Sequence, residues 1–290
     1  MTALPNPLGG ERRHYNWRGH DIAYVQRGNG PAMLLVHSIH ACAWSMEWRE
    51  VVPTLSAHYT TYSIDLLGFG ASAHPALHYS ADLYVDLVRD FLRDVVRSAA
   101  VLVGSSLGGT YCVAVAAANP ELAAAVCAIG PAGVSRLTKA GGTAGSIVQG
   151  LFRTEFPGAA LFAALVSKAS IRFFLKDIYH DNRRMMTDDV VNLYWQSARQ
   201  HNARFAPSAF VGMRLNLDIR DALVRMPRPF LLAWGEYAAQ TPFREAATVH
   251  ALRPNEPFAV LDAGDLPHEE APAAFLGALT EFLHSVSRPD

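Results

Sequence analysis

Cysteine is scarce in this chain, with only Cys42, Cys112 and Cys127 among 290 residues. An odd, widely spaced set excludes a disulfide framework and a zinc site of paired ligands, and it suits a reducing cytoplasm. Charge is thin as well, 18% of residues, and nearly balanced, with 25 Lys and Arg against 26 Asp and Glu for a net charge of -1. No basic run is longer than the pairs Arg12-Arg13 and Arg183-Arg184, so nucleic acid is not an expected partner. No uninterrupted apolar run approaches the ~20 residues that span a bilayer, and the N-terminus has no positively charged start followed by an apolar stretch. These absences predict a cytoplasmic protein without membrane insertion. What is abundant is apolar residues, 50% of the chain, ample for one large core.

The apolar residues fall into a recognisable rhythm. Short strand-like patches up to residue 27 lead into a buried strand at 33–36, a helix-like spacing from Trp44 to Leu55, and a strand at 60–65. Residues 80–97 place Leu83, Leu87, Phe91 and Val95 on one helical face behind Ser80 as N-cap. A strand at 100–103, a small-residue helix and a strand at 123–130 follow. This alternation predicts an α/β fold with a mostly parallel central sheet flanked by helices. From 134 to 220 the rhythm gives way to helices rich in Phe, Tyr, Trp and Met, and it resumes with the strand before Gly235. We therefore expect a core of residues 1–133 and 221–290 carrying an inserted helical module at 134–220.

One motif carries chemistry. Gly104-Ser-Ser106-Leu-Gly108 has the G-x-S-x-G spacing, after a buried strand and before a helix. Such a turn lifts one side chain above the strand ends, and glycines flank it because a Cβ there would collide with neighbouring backbone. Ser106 is thus the candidate nucleophile.

With this elbow, the sequence resembles the α/β-hydrolase fold superfamily over nearly its whole length. Val36-His37-Ser38, the loop from Ile64 to Ser72, the elbow, and the segment Ala263 to Pro272 match its landmarks in order. The resemblance implies that 134–220 is a cap over the active site and that His268, in the last landmark, is the general base. It also implies an oxyanion hole made by the amides of Leu107 and Ile39, with Ser38 as the alternative to Ile39, and a loop-anchoring role for Asp65. The family places its acid in W-G-x-x-D-x-x-x-P, whereas Trp234-Gly235 is followed by Ala238 at that position and Pro242 in register. Glu236, Asp262 and Asp265 are the candidates for a displaced third member, with Gln240 or a backbone carbonyl as uncharged substitutes.

These readings converge on a serine hydrolase that cleaves an ester, thioester, similar acyl bond or carbon–carbon bond of a mainly apolar small molecule. The alternative, motivated by Ala238, is a non-hydrolytic relative: a small-molecule binding protein, a lyase or a cyclase. Ser106 argues against epoxide and halide chemistry, which use an aspartate at the elbow. The segment Gly104 to Gly109 lacks the G-x-G-x-x-G spacing, so no nucleotide cofactor is expected, and no metal. Cys42, near the oxyanion loop, reads as a small buried residue. Residues 134–220 hold twelve Arg and Lys against six Asp and Glu, an excess that suits an anionic group on the substrate, although solvated helix faces give the same count. Nothing in the sequence speaks to oligomeric state.

Overall fold

The computed structural model describes residues 4–287. Eight strands form one sheet: β1 (Glu11–Trp17), β2 (His20–Arg27), β3 (Ala32–Val36), β4 (Thr60–Ile64), β5 (Ala100–Ser105), β6 (Ala123–Ile129), β7 (Phe230–Gly235) and β8 (Phe258–Leu261). Their order is β1-β2-β4-β3-β5-β6-β7-β8. Only the hairpin β1–β2 and its junction with β4 are antiparallel; from β4 to β8 every pairing is parallel. The expected α/β architecture is present.

The parallel strands are apolar on both faces because helices cover both. In β3, Leu34 and Val36 join the cluster under one helical layer, while Met33 and Leu35 join the cluster under the other. The helices of the first half are α1 (Val52–Leu55), α2 (Ala81–Phe91) and α3 (Leu107–Ala118). The continuous helix expected over 44–55 is broken. A 3-10 turn at Ser45–Trp48 precedes α1, which begins beside Pro53 because a proline has no N–H to give to a preceding turn. Ser80 does cap α2, its hydroxyl accepting the Leu83 N–H at 3.2 Å.

Between β6 and β7 the chain forms α4 (Thr143–Arg153), α5 (Gly158–Leu165), α6 (Lys168–Ile178), α7 (Asn182–Met185), α8 (Asp188–Ala198), α9 (Phe205–Val211) and α10 (Arg220–Arg225). Several of these helices share a third apolar cluster, in which Ile171, Leu175, Val191 and Tyr194 pack against Trp44 and Leu266 of the core. Helices α11 (Ala246–His250), α12 (Pro267–Glu270) and α13 (Pro272–Ser287) complete the chain. Among the described residues no single helix is long and apolar enough to cross a membrane. The loops leaving the carboxyl ends of β3, β5, β7 and β8 gather at one edge, where open parallel sheets hold their ligands.

Candidate active site

Ser106 sits between the last residue of β5 and the first of α3, with φ 51° and ψ -122°. A non-glycine residue reaches this backbone region only under constraint. The constraint is visible in the flanking glycines. A Cβ on Gly108 would lie 2.4 Å from the His37 carbonyl oxygen, and one on Gly104 would lie 2.6 Å from the Gly108 backbone. The start of α3 is therefore pressed against the ends of β3 and β5, and the serine side chain projects into a cleft of about 310 Å³. Its Oγ has no hydrogen-bond partner among the described residues.

The two amides expected to form the oxyanion hole have no acceptor among the described residues. Leu107 opens the twelve-residue α3, so its N–H has no intrahelical acceptor and carries the positive end of the helix dipole. Ile39 lines the same cleft, and its N–H has no acceptor among the described residues. Ser38, the alternative donor, is committed elsewhere: its N–H goes to Glu47 Oε1 at 2.8 Å and its hydroxyl to Oε2 at 2.7 Å. His37 braces the loop, meeting the Ser38 carbonyl through Nδ1 at 2.6 Å and accepting the Leu66 N–H at Nε2. Asp65 anchors the neighbouring loop by accepting the N–H groups of Ser45 and Ala71, both at 2.8 Å.

The imidazole expected to serve Ser106 is not brought to it. His268 is fully buried, stacked on Trp48 with ring centroids 4.2 Å apart and edge-on to Phe275. Its Nε2 lies 3.5 Å from Glu47 Oε1, and neither ring nitrogen makes a hydrogen bond. The cause is local. Pro267 starts α12, and within that turn the His268 ring packs between Trp48 and Phe275. The side chains this segment contributes to the cleft are Asp265 and Leu266, in the loop before that turn.

Asp265 lies in the cleft with Ser106 and closes on the loop after β7. Its carboxylate accepts the N–H groups of Ala239, Gln240 and Thr241 and the Thr241 hydroxyl, at 3.0 to 3.2 Å. Burial raises its pKa, outweighing the lowering by those donors. Asp265 thus fills space beside Ala238 and does not touch His268. Glu236 and Asp262 are exposed and supply no partner to His268 either. His40 is the imidazole that does line the cleft. Burial drives its pKa down to about 4, its Nδ1 is 3.4 Å from the Cys42 N–H nitrogen and sulfur, and its Nε2 is unpartnered. Cys42 is buried, and burial pushes its thiol pKa well up, which disfavours the nucleophilic thiolate.

Sequence reasoning missed a buried ionic layer behind the site. Burial would raise the Glu47 pKa, but His268, His37 and Ser38 together bring it below the ordinary carboxylate range. Arg49 reaches Glu269 at 3.0 Å, and Glu269 also accepts from Tyr194 at 3.2 Å and from Tyr179. Glu270 accepts the Gly264 N–H at 2.7 Å and the Asp181 N–H. The loop from 264 to 270 is thereby tied to α6, α7 and α8. The available signal was Glu47 standing among the large apolar side chains Trp44, Met46 and Trp48. Among the described residues no group of His, Cys, Asp and Glu side chains is placed to hold a metal ion.

The cleft adjoins a second cavity of about 560 Å³ lined by α5, α6 and α9; His40, Phe174 and Phe210 line both. On the other side of the cleft, Arg136 pairs with Glu245 at 3.6 Å.

A family model described as the alpha/beta hydrolase family matches residues 33–278. The 2-hydroxy-6-oxo-6-(2'-aminophenyl)hexa-2,4-dienoic acid hydrolase of Metapseudomonas resinovorans is 34% identical over 124 residues, which cover 42% of this chain and 43% of that relative. The 2-(acetamidomethylene)succinate hydrolase of Mesorhizobium japonicum is 27% identical over 283 residues, 93% of this chain and 96% of the relative. Among solved structures, a serine hydrolase involved in carbazole degradation superposes with a TM-score of 0.78 at 22% identity, covering 95% of this chain and 99% of that one; at that identity the likeness speaks for the fold.

Proposed function

The chain belongs to the alpha/beta hydrolase family, and from that premise we propose that it hydrolyses an ester, thioester, other acyl bond or carbon–carbon bond of a mainly apolar small molecule, with Ser106 as nucleophile. The observation that carries this reading is the strained Ser106 backbone, φ 51°, in a cleft with two uncommitted amides. Strain of this kind persists where a site uses it. Relatives named as hydrolases of a hexadienoic acid and of an acetamidomethylene succinate support hydrolysis. The helices of 134–220 act as the cap, their apolar cavity holds the non-reacting part of the substrate, and their excess of Arg and Lys favours an anionic group on it.

Ser106 Oγ attacks the carbonyl carbon while its proton passes to a base, and the new alkoxide is held by the Ile39 and Leu107 N–H groups. The leaving group departs with a proton, and water cleaves the acyl-serine to free acid and restores the serine. The two amides contribute on the order of 10²-fold each or more. Asp265 takes the base's role: of the two carboxylates that line the cleft, Glu245 is paired with Arg136, whereas burial makes Asp265 a stronger base than an ordinary aspartate.

A second reading, a binding protein or non-hydrolytic enzyme, is favoured by one specific observation. Four donors already converge on Asp265, and among the described residues no imidazole is hydrogen-bonded to Ser106. Fluorophosphonate labelling decides between the two. Labelling that disappears in Ser106→Ala and slows at least tenfold in Asp265→Asn, while His268→Ala labels at the parent rate, supports the hydrolase. Folded parent protein that stays unlabelled by a probe small enough for the cleft leaves the binding reading.

A further inference from the structure

Eight of the twelve exposed large apolar side chains among the described residues lie between 143 and 213: Ile147, Leu151, Phe156, Leu161, Leu165, Phe173, Val211 and Met213. Phe156 is 84% exposed, Phe173 73% and Ile147 69%. Scattered apolar residues need no account, but this concentration on one inserted module does. Three of them, Leu165, Phe173 and Val211, rim the 560 Å³ cavity, so the apolar surface surrounds an opening that leads past His40, Phe174 and Phe210 to the Ser106 cleft.

Basic side chains outnumber acidic ones beside this surface, where Asp177 lines the cavity and Asp188 pairs with Arg172. Lys168, Arg172 and Lys176 recur every four residues on α6 and so share a face, next to the strip carrying Ala169 and Phe173 that lines the cavity. Residues 134–220 carry +6, which leaves -7 for the rest of a chain whose net charge is -1. Such an asymmetry favours this module over the rest of the chain at an anionic surface. Helices α5 and α6 are bent by 56° where they meet and each is too short to span a bilayer, so they suit a helix pair lying in the headgroup region with its apolar side chains inward.

We propose that the exposed apolar face of α4, α5, α6 and α9 docks on an anionic lipid surface, with the cavity mouth against the membrane. The docking is independent of which reaction Ser106 performs.

The test is co-sedimentation of the full chain with vesicles of phosphatidylcholine alone and of phosphatidylcholine with about one-third phosphatidylglycerol. The chain is expected to sediment with the anionic vesicles, at least tenfold more weakly with the neutral ones, and more weakly again when salt rises from about 0.1 M to about 0.5 M. Phe156→Asp with Phe173→Asp should reduce binding about tenfold or more, whereas Val224→Asp, an exposed apolar position outside the face, should not. Equal binding to both vesicles, no binding to either, or equal loss in the Val224→Asp variant would overturn the proposal. So would a dimer in light scattering that the double variant splits while vesicles remain unbound, since the face would then belong to a second copy of the chain.

Discussion

Trp48 lies against His268 with their ring centroids 4.2 Å apart and planes 28° from parallel, and this stack, not the nucleophile, is the environment of the histidine. Trp48, Glu47 and His268 are all fully buried, with Glu47 linking the imidazole to the Ser38 N–H and hydroxyl. The histidine therefore packs behind the Ser38 loop, with Glu47 between them. His268→Ala should destabilise the fold by about 2–4 kcal/mol, from the cavity and from the carboxylate left without its partner, and leave Ser106 reactivity per folded molecule unchanged. Urea denaturation alongside labelling of the folded fraction checks both halves; a reactivity loss of 10²-fold or more with stability intact would refute the assignment.

Glu47 predicts a pH dependence. Its folded pKa is depressed by His268, His37 and Ser38 against the opposing effect of burial. A carboxylate of this kind contributes stability that is present above its unfolded pKa, near 4.3, and is lost as pH falls through the lower folded value. Denaturant midpoints should decline on acidification through and below the ordinary glutamate range. Glu47→Gln should start less stable at neutral pH and show a shallower decline. Parallel curves for parent and variant would contradict this.

Much of the fold was legible in the residues, and the site only partly. Apolar runs of four to six residues separated by amphipathic segments mark a parallel sheet, and the glycines around Ser106 mark the elbow because their missing Cβ atoms are a steric necessity. The order of landmarks also locates the loop from 263 to 272. Which side chain of that segment enters the cleft is a matter of a single turn, since only Leu266 and Pro267 separate Asp265, in the loop, from His268, inside α12. No periodicity encodes that rotation. The break in the helix over 44–55 was signalled by Pro53, whereas the pairing of Arg49 with Glu269 joins residues too distant in sequence for any local pattern to reveal.

Ser106 itself predicts an inverse relation between stability and function. Relieving a strained non-glycine conformation gains about 1–3 kcal/mol, and the greater freedom of unfolded glycine offsets about 0.5–1 kcal/mol of that. Ser106→Gly should accordingly be about 1 kcal/mol more stable than Ser106→Ala, which keeps the strain, and both should be inert to fluorophosphonate. Equal urea midpoints for the two variants would show that the backbone at 106 is not strained.

Asp265 and Ala238 stand where the loops after β8 and β7 meet the cleft, and the pair offers the sharpest test of what the site lacks. Asp265→Ala releases the three amides and one hydroxyl that its carboxylate gathers, and a loss of about 1–2 kcal/mol is expected, chiefly from the part-buried Thr241 donors, since the exposed Ala239 and Gln240 amides turn to water. Asp265→His combined with Ala238→Asp has a different outcome. It places an imidazole on the cleft side of the loop and a carboxylate in the neighbouring loop to hold its tautomer, the arrangement by which serine nucleophiles are activated. Labelling of Ser106 should accelerate by about 10²–10⁴-fold, with Asp265→His alone falling short because nothing orients the ring. If the double variant folds and Ser106 reacts no faster than in the parent, the elbow and its two amides are not poised for acyl chemistry, and the binding reading gains the ground.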